Sequence, residues 1–234
     1  MNEHIVSAFA NELKGLAQRV AEMGGLVEKQ IVGAIDSLIK ADVPLAEEVR
    51  RADPAVDAMQ REIEETGILI IARRQPMAVD LREVVGALRI AADLERVGDL
   101  AKSIAKRAIA INGQVALPKV TGGFDAMARL ALERVKSVLD AYAHRDVAAA
   151  LEVWKADGDI DALYNSLFRE LLTYMLEDPR NIGSCTHLLF CAKNLERIGD
   201  HATNIAETIH YIVTGTALAE ERPKIDTTIF GAGS

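Results

Sequence analysis

Glu196 and Asp200 stand four residues apart in the segment NLERIGDHATNIAE, residues 194–207. On a helix they share a face, and such a like-charge pair costs about 0.2–0.5 kcal/mol. The chain repeats the arrangement a hundred residues earlier, with Glu95 and Asp99 in DLERVGDLAKSIAK, residues 93–106. Each row borders an apolar stripe about 100° away on the helix. Leu94, Val97, Ala101, Ile104 and Ala108 form one stripe; Leu195, Ile198, Ala202, Ile205 and Ile209 form the other. Gly98 and Gly199 lie between stripe and row, although glycine inside a helix costs about 1 kcal/mol relative to alanine. A cation accounts for both oddities. Two carboxylates one turn apart can bridge a hard or borderline metal ion. Asp57 and Asp161, at matched positions on the preceding helices, are the candidates to close each site. Asp93 and Asn194 match one another, as do Ser103 and Asn204, and all four are oxygen donors expected near the rows. The glycines then suggest that something approaches the backbone there.

The competing reading is an ordinary network of intrahelical ion pairs, because Arg96 and Arg197 follow the two glutamates. A carboxylate-bridged di-iron bundle needs Glu-x-x-His on two helices. Only Glu207–His210 fits, its counterparts being Lys106 and Ile109, so that match reads as coincidence. His187 and His201 do not recur in the first half and read as structural or surface residues. Cys185 and Cys191, the two cysteines of the chain, read as buried reduced thiols. No Gly-rich phosphate loop, nucleophile elbow or zinc pattern is present, and no catalytic residue is expected.

Helical spacing of apolar residues runs almost throughout, so the expected fold class is all-α. The expected helices cover about residues 4–41, a short stretch after Pro44, a fresh start capped by Asp53 with Pro54 at its first position, and about residues 78–111. The programme then repeats. Asp42, Asp53 and Asp57 recur as Asp146, Asp157 and Asp161, each 104 positions later, and Glu95 recurs as Glu196. The simplest architecture is two tandem three-helix bundles, residues 1–112 and 121–215, with a linker near 113–120 and a flexible tail over 216–234. One continuous six-helix bundle would differ only in how the halves dock.

The 234 residues are half hydrophobic and only 4% aromatic, which suits packed helices. A net charge of −8 argues against a free-standing nucleic-acid binder and against direct capture of phosphate. The N-terminus does not read as a signal peptide, and no run of eighteen uncharged apolar residues occurs, so a cytoplasmic protein is expected.

RQPMAVDLREVVGALRIAADLERVGDLAKSIAKRA and YMLEDPRNIGSCTHLLFCAKNLERIGDHATNIAETIHYIVTG resemble the two signature segments of the PhoU family. The resemblance runs from the first helix to about Gly215, with both E-x-x-x-D motifs in register. It implies two three-helix bundles with multinuclear iron or zinc clusters on the motif faces, at Glu95 and Asp99 and at Glu196 and Asp200. It also implies a negative regulator that lowers phosphate uptake and keeps the phosphate-starvation response off. The implied partners are the ATPase of the phosphate ABC transporter and a membrane sensor histidine kinase, with membrane contact through them alone. A homodimer is expected. The alternative is a metal-binding helical scaffold or storage protein without a signalling role. Asn194 stands where the first copy has Asp93, so the two sites are expected to differ in metal affinity.

Overall fold

A computed structural model describes residues 2–111, 121–156 and 158–218. The expected linker at 113–120, the tail beyond residue 218 and Asp157 fall outside them. Among the described residues there are seven α-helices and no strand. They are α1 (Asn2–Lys40), α2 (Val43–Arg74), α3 (Ala78–Ile111), α4 (Thr121–His144), α5 (Val147–Lys155), α6 (Gly158–Glu177) and α7 (Ile182–Thr214). A single 3-10 turn, Pro179–Asn181, leads into α7.

The repeat extends to the caps. Ala41 and Arg145, 104 positions apart, both take left-handed backbone, at φ 52° and 54°. The next residues, Asp42 and Asp146, return their N–H to Ser37 and Ala141 at 3.0 and 2.9 Å. Their carboxylates then accept from Leu45 N and Ala149 N, each at 3.0 Å. One helix is closed by a 6→1 bond and the next is opened by an aspartate N-cap within two residues.

One expectation fails here. No new helix begins at Asp53: α2 runs unbroken through Pro54. A proline inside a helix forfeits one backbone hydrogen bond and costs about 3 kcal/mol. The apolar stripe explains why the helix continues. Ala46, Val49, Asp53, Val56, Ile63, Gly67 and Ile70 are buried in one heptad phase across the proline. Restarting the helix would break that phase. In the second copy Gly158 stands at the matched position and opens α6, while α5 has already stopped at Lys155.

Within each half the third long helix is the centre: α1 and α2 pack on α3, and α4, α5 and α6 pack on α7. The halves meet through α3 against α7 and α1 against α4. Gly86 near the start of α3 lies against Ile212 near the end of α7, and Arg107 near the end of α3 stacks on Phe190 near the start of α7. The two central helices are therefore antiparallel, and the repeat becomes a pseudo-two-fold about the middle of their seam. Buried residues of every described helix join one core, including Val20, Val56, Ile90, Val135, Val153, Leu171 and Ile198.

That antiparallel seam places the α2–α3 and α6–α7 corners at opposite ends of the molecule. Both corners expose apolar side chains. Ile68 is 61% and Met77 80% exposed at one; Leu176 is 84% and Ile182 49% exposed at the other.

Candidate functional site

The two carboxylate rows lie on matched faces of α3 and α7. Glu95 and Glu196 are tucked in, with side chains 18% and 14% exposed. Asp99, one turn on, is more open. In the first row Glu95 Oε2 is 3.4 Å from Arg96 Nε, and Asp99 Oδ1 is 3.3 Å from Lys102 Nζ. Lys102 also holds Asp53, whose side chain is almost wholly buried. Burial pushes the Glu95 carboxyl above its ordinary pKa; Arg96 opposes this, and the charges of Asp99, Asp57 and Asp53 add to it. Asp57 therefore lies within electrostatic reach of Glu95. The Lys102 ammonium is raised in turn, first by its hydrogen bond to Asp53, with the bond to Asp99 adding to this against burial.

Sequence reasoning took Asp53 for a helix cap and missed it as the fourth carboxylate of this row. Its recurrence 104 positions later was the available signal.

In the second row Lys193 Nζ stands 2.7 Å from Glu196 Oε2. Burial works to lower the Lys193 pKa, but the bond to Glu196 and the charges of Glu196, Tyr164 and Asp200 outweigh it and the pKa ends raised. Asp161 lies on α6, which packs against α7.

As they stand, the carboxylates are held by Arg96, Lys102 and Lys193. Among the described residues no three Asp, Glu, His or Cys side chains are gathered for a metal ion. Carboxylate oxygen, the donor type of the first row, is what a hard cation takes. The charges of Asp99, Asp57 and Asp53 act on Glu95, and a cation in place of Arg96 and Lys102 would offset them.

The glycines have a different explanation from the expected one. A Cβ on Gly98 would fall 2.8 Å from Gln30 Oε1, and one on Gly199 would fall 2.6 Å from Ile160 Cδ1. What approaches the backbone is a side chain of the neighbouring helix. Asp93 also leaves the row. It points across the seam, where Oδ1 accepts from Asn204 Nδ2 at 3.2 Å and meets His201 Nδ1 at 2.8 Å. His201 is thus a structural partner, as expected, and His187 likewise meets Arg107 at 3.4 Å. Glu207 and His210 act separately. Glu207 accepts from Trp154 Nε1 at 3.1 Å, while His210 Nδ1 lies 3.0 Å from the Thr216 carbonyl. Both cysteines are free and buried, and burial pushes the Cys191 thiol up to about 12, with Arg107 opposing.

Known proteins carry the same repeat. Residues 20–108 and 124–209 each match the PhoU domain. A phosphate-specific transport system accessory protein PhoU homolog of Rhizobium meliloti is 56% identical over 225 residues, spanning 96% of this chain and 95% of that protein. The homolog of the same name from Caulobacter vibrioides is 50% identical over 226 residues, 97% of this chain and 98% of that protein. The crystal structure of PhoU from Pseudomonas aeruginosa superposes with a TM-score of 0.86 at 41% identity, covering 89% of this chain and all of that one. The phosphate transport system regulatory protein PhoU from Streptococcus pneumoniae gives 0.83 at 29% identity, covering 91% of this chain and all of that one. Two matched helical halves, duplicated carboxylate rows and relatives aligned along nearly their whole length agree: the chain belongs to the PhoU family.

Proposed function

We propose that this protein is a negative regulator of the phosphate-starvation response and a modulator of phosphate uptake. It acts by binding the ATPase of a phosphate ABC transporter and a membrane sensor kinase, without turnover of its own. The relatives' names tie them to a phosphate-specific transport system. The observation that carries the binding role is the pair of apolar corners. Ile68, Met77 and Val79 at one end, and Leu172, Leu176 and Ile182 at the other, are exposed on rigid helix ends. Apolar side chains grouped at an exposed corner suit a protein partner. Among the described residues no helix is long and apolar enough to cross a membrane, so membrane contact goes through those partners.

The carboxylate rows are the proposed metal faces. Asp57, Glu95 and Asp99, together with Asp53, would hold one iron or zinc centre, and Asp161, Glu196 and Asp200 a second. The metal would supply a fixed positive charge that ties α2 to α3 and α6 to α7. Gln30 and Ile160 fill the space over Gly98 and Gly199 and set how closely neighbouring helices approach.

The test is a pull-down of the tagged chain from membranes of phosphate-replete cells, with Met77→Glu and Leu176→Glu as variants. Recovery of the transporter ATPase by the wild type and its loss in the variants is the expected result. Equal recovery by wild type and both variants would sink the assignment of the corners. A deletion strain that still silences its starvation genes in high phosphate would sink the regulatory role.

A further inference from the structure

On an acidic chain one cleft is lined mainly by cations. It lies between α2, α3 and α7, has a volume of about 490 Å³, and is lined by Arg50, Arg96, Lys102, Lys106 and Arg197 with Asp99 as its single acid. Leu100, Ser103 and Asn194 complete it. Some of these cations are engaged: Arg50 with Glu47, Arg96 with Glu95 and Asp99, Lys102 with Asp53 and Asp99. Lys106 and Arg197 make no hydrogen bond or ion pair among the described residues. Asn194 is 92% buried, given its 8% exposure, and its Nδ2 has no acceptor. A buried N–H without an acceptor costs about 1–3 kcal/mol. Asn194 is part of the cleft wall, and because Nδ2 itself is closed off, an anionic oxygen would satisfy it once the side chain turns toward the cleft.

The pseudo-two-fold supplies an internal control. A second cleft beside the same seam contains the counterparts of four of these residues: Asp93 for Asn194, Arg96 for Arg197, Asn204 for Ser103 and Glu207 for Lys106. There the acids are internally satisfied, Asp93 by Asn204 and His201, and Glu207 by Trp154. Where the second cleft closes a network, the first has an amide in place of the carboxylate and an ammonium in place of the glutamate. The fold alone does not require this, because the matched positions hold the same seam together with acids.

We infer that the cleft between α2, α3 and α7 binds a phosphate oxyanion of more than one unit, of the pyrophosphate or tripolyphosphate class. Apart from Asp99 its polar side chains can all donate, through guanidinium, ammonium, amide N–H and hydroxyl. Arg50, Arg96 and Lys102 already face carboxylates, so the uncompensated charge comes from Lys106 and Arg197, and two such cations suit a multiply charged ligand better than a single monoanion. Among the described residues no aromatic ring lines the cleft to stack a nucleobase, and Leu100 is its one large apolar side chain, too little for an acyl chain. The net charge of −8 is no obstacle, because binding follows the local field of the cleft. This inference does not depend on the transporter and kinase reading.

The experiment is calorimetric titration of the chelator-treated full chain with phosphate, pyrophosphate and tripolyphosphate at fixed ionic strength, with sulfate as reference. Sedimentation with anionic-lipid vesicles forms a separate arm. Lys106→Glu and Asn194→Asp install the acids of the matched cleft; Lys155→Glu makes the same charge change as the first on exposed α5. Pyrophosphate or tripolyphosphate should bind tighter than sulfate, Lys106→Glu and Asn194→Asp should each weaken this by at least about tenfold, and Lys155→Glu should stay within about twofold. Lys106 is exposed, so its variant folds; circular dichroism checks the buried Asn194 variant. Condensed phosphates binding no tighter than sulfate would overturn the site. So would equal losses in Lys106→Glu and Lys155→Glu, or Lys106-dependent binding to vesicles without binding of the soluble anions.

Discussion

The seam between α3 and α7 can be tested at Gly86. A Cβ added there would lie 2.3 Å from Ile212 Cδ1, 2.4 Å from Ile212 Cγ1 and 3.6 Å from Thr208 Cγ2. The first two distances are far inside contact, and retracting the tip of Ile212 does not clear Cγ1. Gly86→Ala therefore combines two opposed terms. Replacing a mid-helix glycine by alanine gains about 1 kcal/mol, and overpacking a dense core costs about 1–3 kcal/mol. A Cβ on Gly25 in α1 would meet nothing within 4 Å, so Gly25→Ala isolates the first term. The gap between the two variants measures the overlap itself and should be about 1–3 kcal/mol. Urea unfolding followed by circular dichroism resolves this, with Gly25→Ala more stable than wild type and Gly86→Ala at or below it. Ile212→Ala provides the cross-check, since removing Cγ1 and Cδ1 should cost less in the Gly86→Ala background than alone. The close-packed seam is refuted if Gly86→Ala stabilises as much as Gly25→Ala, or if the two seam substitutions are additive.

Other outcomes follow from particular side chains. Gln30 is buried with both amide atoms lacking a protein partner, so Gln30→Met should stabilise by about 1–2 kcal/mol in the same assay; a loss of stability would show that the amide is satisfied. Burial, aided by the Glu83 charge and opposed by Arg145, raises the Tyr142 phenol from 10.0 to about 12. Unfolding between those pH values releases a proton, so stability falls as pH rises through that window, by about 2–3 kcal/mol in full. Tyr142→Phe should remove that alkaline loss and change little below pH 9, as seen by urea midpoints across pH. Glu196→Ala with Asp200→Ala should abolish metal retention in the second row, measured by elemental analysis of protein loaded with iron or zinc, while far-ultraviolet circular dichroism stays helical. Undiminished metal in that variant would count against the proposed centre.

The bounds of α3 were legible because Pro76 ends what precedes it and an unbroken apolar period runs to residue 111. The matched acids at 42 and 146, read only as part of the repeat, are N-caps in the structure, a local interaction that the sequence could have signalled. Pro54 misled for the converse reason. The local rule says stop, and the heptad phase that overrides it becomes decisive only when α3 is there to bury it. At the candidate site the glutamates and aspartates were visible as a row, but their neighbours were not. A helical wheel shows which residues share a face and not which helix covers it. So Gly98 and Gly199 suggested a ligand where the structure supplies Gln30 and Ile160, and Asp93 was assigned to the row when it serves the seam. The antiparallel docking of the halves was not legible, because contacts such as Gly86 with Ile212 join positions far apart in sequence.

The opposed apolar corners have a consequence for stoichiometry. The 34 residues of α3 rise about 50 Å from end to end, and α7 returns over nearly the same length. If the corners bind as proposed, the molecule is a ruler of fixed span with a similar grip at each end. A target with a single matching patch can hold only one grip at a time. A target presenting the patch twice, at that spacing, captures both, and the second contact then forms at high effective concentration because the first has already brought it into place. Weak grips are enough in that case, and discrimination comes from the distance between the patches as much as from their chemistry.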